Sequence, residues 1–350
     1  MFYLVAVIFF IGAMPAIFGK KEIIRDVISF RVLVIVLILW TGLRKTELFP
    51  DMINYEYFFN HGDFYLETAT VDSVNIGYIM LNNIFHWTHS FQCFVFFVTL
   101  FIIFCFTKTI ERYSPYLFLS FFVFSIVDFP FSCFLLRQYL SVAMCLLSVP
   151  FIIQRDLLRF SLYILAAISF HSAAIVFSPL FFLYRESVTH SHKVWIFTGF
   201  GTAIVLGGII MAYVASLFSV YYQHYFESES GGSIARLIMK IYFLFLYIYV
   251  LKEKIWDPGI NQVVLYMSLM AVFICAIGVN FSIFFRIRML MSLSEIIGIP
   301  LIIKYSKAMI PQRVFMVNFM VLAYFALLAI SFHSMLVNNS IARVFSLFWS

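Results

Sequence analysis

The run from Leu157 to Tyr184 is the stretch that most limits what this chain can fold into. It is 28 residues long and apolar in the main, with a break at Phe170-His171-Ser172-Ala173. As one straight helix it would measure about 42 Å, against roughly 30 Å for the hydrocarbon core of a bilayer. Arg155 and Arg159 stand at its start, and Arg185 and Lys193 follow its end. If both flanks lie on the cytoplasmic side, the run crosses twice and turns at His171 on the outer side. The other reading is one long, steeply tilted helix, which would invert every segment after it. A histidine at such a turn is either a polar group satisfied at a bend or a functional group facing outward.

Composition sets the class. Hydrophobic residues make up 63% of the chain, charged residues 11%, and the mean hydropathy is +1.00. Those values belong to an all-α, polytopic integral membrane protein. A β-barrel would show short alternating segments, whereas these apolar stretches are continuous. The net charge of +6 comes from lysines and arginines scattered through short loops. That is not the clustered patch of a nucleic-acid binder, so no nucleic-acid partner is expected. The five cysteines lie in or beside apolar segments without ligand spacing, and an odd number argues against a disulfide framework. The apolar start, Met1 to Phe18, has no basic residue ahead of it and reads as a retained helix. Lys20, Lys21 and Arg25 behind it put the N-terminus outside.

Crossings are expected over 2–18, 27–43, 91–107, 115–135, 138–153, 157–170, 173–184, 195–219, 236–251, 262–284, 289–303 and 314–332, about 11–12 helices in one transmembrane domain over 1–350. The basic residues test this alternation. Fifteen of the 23 lysines and arginines fall on the inner side, including every short loop assigned there. Eight fall outside: Arg44, Lys45, Arg137, Arg236, Lys240, Arg286, Arg288 and Arg343. Acids collect outside as well, with Glu47, Asp51, Glu56, Asp63, Glu67 and Asp72 in the first outer loop and Glu227 and Glu229 later. That first loop, 44–90, is the longest polar stretch, and Ile76 to Phe85 within it reads as an amphipathic helix at the interface.

The outer cations carry the most information, because the positive-inside bias does not account for them. Six are arginine, the residue suited to planar, bidentate contacts with phosphate or carboxylate. Arg137 opens a crossing just after Asp128-Phe129-Pro130, where a helix N-terminus adds partial positive charge. Arg286 and Arg288 precede the next such start, and Arg236 and Lys240 share a helix face. Their other reading is snorkelling to headgroups, or pairing with Asp128, Glu227 and Glu229. His171 suits a general base near neutral pH. Asp51, with Asn54 and Tyr55 close by, offers a carboxylate, an amide and a hydroxyl for a sugar or a base role. Glu295, inside a crossing, lies on the face of Arg288 about two turns deeper, which suggests indirect pairing. His190 and His192 read as solvated. No Walker motif, dinucleotide fingerprint, zinc spacing or nucleophile elbow is present.

These residues, in this order, resemble the EpsG/Wzy-type bacterial polysaccharide polymerases. The pieces that carry the resemblance are Gly42-Leu43-Arg44, Asp51 and Asn54-Tyr55, then Gly77-Tyr78, Leu136-Arg137-Gln138, Phe170-His171-Ser172-Ala173 and Phe285-Arg286-Ile287-Arg288. The chain departs from the family at Asn75, where an acidic residue often precedes the Gly-Tyr pair; Asp72 lies three residues earlier. The resemblance implies a GT-C-like glycosyltransferase of the bacterial inner membrane, multi-pass, with its active site facing the periplasm. Such enzymes move a growing glycan from undecaprenyl pyrophosphate onto a fresh lipid-linked repeat unit, making O-antigen or exopolysaccharide. Donor and acceptor are then undecaprenyl-pyrophosphate-linked glycans. Membrane lipids, and a chain-length regulator on the strength of the family, are the further partners.

The expected mechanism calls for no cofactor, neither nucleotide nor metal. Arg137 and Arg288 hold the pyrophosphate, with Arg286 and Arg44 behind them. His171, or Asp51, takes the proton from the acceptor hydroxyl, and Tyr55, Asn54 and Gln138 contact sugar. Two alternatives share this chemistry: a transporter or flippase of lipid-linked oligosaccharide, and an O-antigen ligase. The flippase predicts inverted repeats and several deep charges, and only Glu295 is clearly deep.

Overall fold

A computed structural model of the chain describes residues 2–17, 24–45, 50–61, 75–217, 234–278 and 287–338. The expectations on Arg286, Arg343, Glu47, Asp63, Glu67, Asp72, Glu227 and Glu229 lie outside the described residues. Among the described residues every regular element is helical. Six helices there are long and apolar enough to cross a membrane: Phe91–Tyr113, Leu136–Ile153, Ile234–Trp256, Ile260–Gly278, Arg288–Ser306 and Pro311–Ser331. Shorter apolar helices accompany them, including Val27–Gly42 and Leu157–Phe170. The protein is an all-α, polytopic membrane protein.

The chain gathers into two compact units, one of Met1–Ser148, Leu158–Ile175 and Phe325–Ser350, the other of Val149–Leu157 and Val176–Tyr324. In the first, α1 (Phe2–Ile17) rides on α6 (Leu117–Val127), every residue of which is buried. Gly12 permits that approach, since a Cβ there would meet the Phe118 ring at 2.2 Å. Phe9, Phe30, Phe118 and Phe121 fill the space between, with the Phe9 and Phe121 rings 4.5 Å apart.

Next to them, α2 (Ile24–Gly42) and α5 (Phe91–Tyr113) run in opposite directions. Arg31 pairs with Glu111 at 2.8 Å at one end of this pair, and the Gln92 amide donates to the Gly42 carbonyl at 2.7 Å at the other. Two elements of the first outer loop are helical: α3 (Pro50–Asn60) and α4 (Ile76–His86). On α4 the face at Gly77, Tyr78 and Asn82 is buried while Ile76, Met80 and Ile84 are exposed. That outward apolar face suits a helix lying against lipid.

The crossing expected over 115–135 is interrupted. α6 ends at Val127, Asp128 leaves helical geometry at φ −124°, and α7 (Phe129–Ser132) is a single further turn. Pro130 sits in the first turn of α7, where its missing N–H costs nothing and its ring would have broken a continuous helix. α8 (Leu136–Ile153) then carries the chain onward.

The long apolar run does fold back. α9 (Leu157–Phe170) stops at His171, a 3-10 turn covers Ser172–Phe177, and α10 (Pro179–Leu183) follows. Arg155 Nη1 donates to the carbonyls of Phe181 and Tyr184, the latter at 3.0 Å. A continuous helix would hold those partners about 40 Å away, so a single tilted helix is excluded. The outgoing leg has 14 residues, about 21 Å and short of a full crossing.

The second unit packs α11 (His190–Leu217), α12 (Ile234–Leu251), α13 (Ile260–Gly278) and α14 (Leu293–Ser306), with the first part of α15 (Pro311–Asn338). α13 is its buried centre. Gly298 lets α14 close on α12, where a Cβ would meet the Phe243 ring at 2.6 Å. At one end Asn261 donates to Tyr305 Oη at 3.0 Å and to the Lys254 carbonyl at 3.1 Å, and it accepts from Tyr247 through its own carbonyl.

Candidate functional site

The first motif, Gly42-Leu43-Arg44, builds a clamp. Gly42 faces Phe96, whose ring a Cβ would meet at 2.6 Å. Arg44 is 4% exposed, and its guanidinium donates to the Thr41 carbonyl at 2.5 Å, the Thr99 hydroxyl at 2.9 Å and the Cys133 carbonyl at 2.5 Å. It thereby ties the end of α2 to α5 and to the turn before α8. A buried guanidinium ringed by neutral acceptors is well placed to hold helices in register.

The second motif, Gly77-Tyr78, places an aromatic wall. A Cβ on Gly77 would fall 2.3 Å from Ser169 Oγ and 2.8 Å from the Ser169 carbonyl oxygen, so α4 lies against the end of α9 with no room to spare. Tyr78 is buried by that approach. Its ring centroid is 5.6 Å from Tyr55, which reaches it from α3. The Arg137 guanidinium lies over both rings, 5.6 Å from the Tyr55 centroid and 5.7 Å from that of Tyr78. A planar cation on two aromatic faces is held in orientation by them. Burial pushes the Tyr78 phenol well above its ordinary value, with Tyr55 adding to the effect and Asn82 and Arg137 opposing it.

Arg137 belongs to the first turn of α8, so the helix end adds its partial charge to the same place. Nearby, Tyr139 donates to buried Asp128 at 2.9 Å. One turn on from Arg137, the Ser141 hydroxyl makes a long contact, 3.5 Å, with the His171 carbonyl. His171 thus sits at the same end of the helices as Arg137. Its Nδ1 accepts from the Ala173 backbone N–H at 3.3 Å. A backbone N–H can only donate, so the neutral ring carries its proton on Nε2. Asp51 is half-buried on α3, one turn before Tyr55 and on the same face. Asn54 is exposed on the same helix, and Gln138 is buried beside Arg137 in sequence.

The structure therefore brings Arg137, Tyr55 and His171 to one end of the first unit, and Asp51 to the helix that delivers Tyr55. Tyr78 and Ser169 join them; sequence reasoning found Tyr78 only as half of a short motif and did not find Ser169 at all.

Arg288 belongs to the second unit, opening the 3-10 turn Arg288–Met291. There Glu295 is fully buried, and its two oxygens accept from Lys240 and Tyr324. The direct partner of Glu295 is thus Lys240, and Arg288 acts on the carboxylate only at longer range. Arg236 is near enough to Arg288 for the two cations to repel each other. Among the described residues, Glu295, Lys240, Arg236 and Arg288 make up this cluster.

Fold and site together define an all-α polytopic membrane protein whose first unit presents an arginine oriented by two aromatic rings at the end of its helices. The chain belongs to the EpsG family, the family of Wzy-type polysaccharide polymerases: the model of that family matches residues 27–343. No curated protein and no solved structure matches it. Membership supports a polysaccharide polymerase in general.

Proposed function

We propose that the protein is a glycosyltransferase that polymerises undecaprenyl-pyrophosphate-linked repeat units into O-antigen or exopolysaccharide at the outer face of the inner membrane. The observation that carries this reading is the Arg137 guanidinium, seated on Tyr55 and Tyr78 at a helix start. It is a fixed positive charge aimed by packing, the arrangement that stabilises a departing pyrophosphate in a poorly hydrated site. In the second unit Arg288 and its neighbouring cations offer a further phosphate contact, and the resemblance adds Arg286.

In the reaction, the acceptor hydroxyl attacks the anomeric carbon of the donor glycan. The bond from that carbon to the pyrophosphate oxygen breaks, and its electron pair leaves on undecaprenyl pyrophosphate. The hydroxyl proton passes to Asp51. His171 gives a hydrogen bond from its Nε2–H to the leaving pyrophosphate and keeps the proton; the backbone bond to Nδ1 supports this donor role over that of a base. Asn54 and Gln138 are assigned to sugar hydroxyls.

Deleting the gene and resolving surface polysaccharide on a gel tests the activity, and Arg137→Ala tests the site. Each change should collapse the ladder to a single repeat, with the Arg137→Ala protein present at its normal level. A normal ladder from Arg137→Ala overturns the site. Polymer that is full-length but unattached to its final lipid marks a ligase instead, and single repeats held on the inner leaflet mark a flippase.

A further inference from the structure

At the end of the second unit away from Glu295, two lysines and a tyrosine come together from separate elements. Lys304 and Tyr305 lie in the last turn of α14, about 14 Å along that helix from Glu295. Lys254 belongs to the 3-10 turn Lys252–Trp256, which follows α12. Its Nζ is 5.6 Å from the centroid of the Tyr305 ring, and that of Lys304 is 5.5 Å away. Both lysines are exposed. Among the described residues neither has a carboxylate within ion-pair distance, and the acid beside Lys254, Glu253, pairs with Lys193 instead.

Buried Asn261, at the start of α13, fixes the tyrosine. Its amide nitrogen donates to the Lys254 carbonyl at 3.1 Å and to Tyr305 Oη at 3.0 Å. Those two bonds use both amide hydrogens, so Tyr305 Oη accepts and keeps its own hydrogen to give. No acceptor for that hydrogen stands among the described residues. A hydroxyl donor and two ammonium groups around one fixed ring suit a phosphate.

The surroundings select a lipid phosphate over a soluble one. The outward face of α12, with Ile238, Ile241 and Phe245 exposed, leads into the Lys254 turn, and Ile310 and Phe315, both exposed, follow Lys304 along the chain. The lysines therefore stand where lipid-facing surface meets the polar end of the helices, on the side that the basic residues assign to the cytoplasm. We propose that Lys254, Lys304 and Tyr305 hold the phosphate of an anionic phospholipid of the cytoplasmic leaflet. A phosphatidylethanolamine headgroup brings an ammonium that the two lysines repel, whereas phosphatidylglycerol adds only neutral hydroxyls. Bound there, the lipid ties the end of α12 to the end of α14, apart from the arginines assigned to the reaction.

The test is native mass spectrometry of the full-length protein in detergent, with phosphatidylglycerol and phosphatidylethanolamine of matched acyl chains as probes. Lys254→Gln combined with Lys304→Gln should weaken phosphatidylglycerol retention by about tenfold or more, the equivalent of two lysine contacts at a membrane surface. Retention of phosphatidylethanolamine should not change. Lys252→Gln combined with Lys307→Gln removes the same charge from the same end of the unit but leaves both lysines on the ring, and should retain phosphatidylglycerol as the wild type does. Tyr305→Phe keeps the ring and both lysines, loses the hydroxyl, and should weaken phosphatidylglycerol alone. Thermal unfolding without lipid checks that each variant is folded. Undiminished phosphatidylglycerol retention in the Lys254→Gln, Lys304→Gln pair or in Tyr305→Phe overturns the proposal. Equal loss in the Lys252→Gln, Lys307→Gln pair does so too, by showing a diffuse basic surface in place of a site. Displacement of phosphatidylglycerol by inorganic phosphate would make the site one for a soluble anion, and overturn the lipid assignment.

Discussion

A methyl group placed on Gly77 would stand 2.3 Å from the Ser169 hydroxyl oxygen and 2.8 Å from the Ser169 carbonyl oxygen. The hydroxyl can rotate away, but the carbonyl belongs to the last turn of α9 and cannot. The contact therefore sets how close α4 lies to the His171 turn, and through Tyr78 it sets the height of the aromatic wall beneath Arg137.

Gly77→Ala should accordingly cost about 1–3 kcal/mol of stability, the usual range for overpacking a tight contact. It should also impair polymerisation beyond that loss, because Tyr78 moves with the helix. Ser169→Ala removes the closer of the two clashes, so the double variant should recover only part of the stability. Thermal unfolding of the purified proteins and the length of the polysaccharide ladder measure the two effects. Full recovery in the double variant would show that the backbone contact does not matter.

His171 separates donor from base by substitution. Glutamine places an amide N–H near the position of Nε2, while asparagine places its amide near Nδ1. If His171 donates to pyrophosphate, His171→Gln should keep measurable polymerisation and His171→Asn should lose it. If the residue is a base, both variants are inactive, since an amide accepts no proton at neutral pH. Ladder length on a gel, normalised to protein level, reads the difference. Equal loss in both would return the base role to His171 and remove it from Asp51.

Much of this architecture was legible in the chain because it depends on rules that act locally. The reversal at His171 follows from an apolar run too long for one crossing, with Arg155 at one end; the structure shows that same arginine bonded to Phe181 and Tyr184. Arg137 and Tyr55 were legible as residue types, an outward arginine and a loop aromatic, but not as neighbours. Their meeting depends on Gly77, whose only property is the absence of a side chain. The break at Asp128 was visible in Pro130, yet the surrounding phenylalanines continue the apolar pattern and masked it. Lys240 and Glu295 were out of reach altogether. They lie 55 residues apart, and their pairing is a matter of how α12 and α14 are rotated against each other, which Gly298 and Phe243 decide.

That buried pair supports a last prediction. Glu295 is fully buried and Lys240 nearly so, and Tyr324 donates to the second carboxylate oxygen. Removing one partner strands the other charge away from water, at a cost of about 3–5 kcal/mol. Lys240→Met should therefore lower the unfolding temperature sharply. Glu295→Gln added to it removes the stranded charge and keeps a carbonyl oxygen for the Tyr324 hydroxyl, so the double variant should regain most of the loss. Unfolding of Lys240→Met at the wild-type temperature would mean that the charge is not confined as the geometry indicates. Activity then distinguishes scaffold from site. A double variant that is stable and still makes full-length polymer assigns the pair to holding α12 on α14. One that is stable but leaves single repeats assigns Lys240 to the substrate phosphate, with Glu295 and Tyr324 holding its ammonium in place.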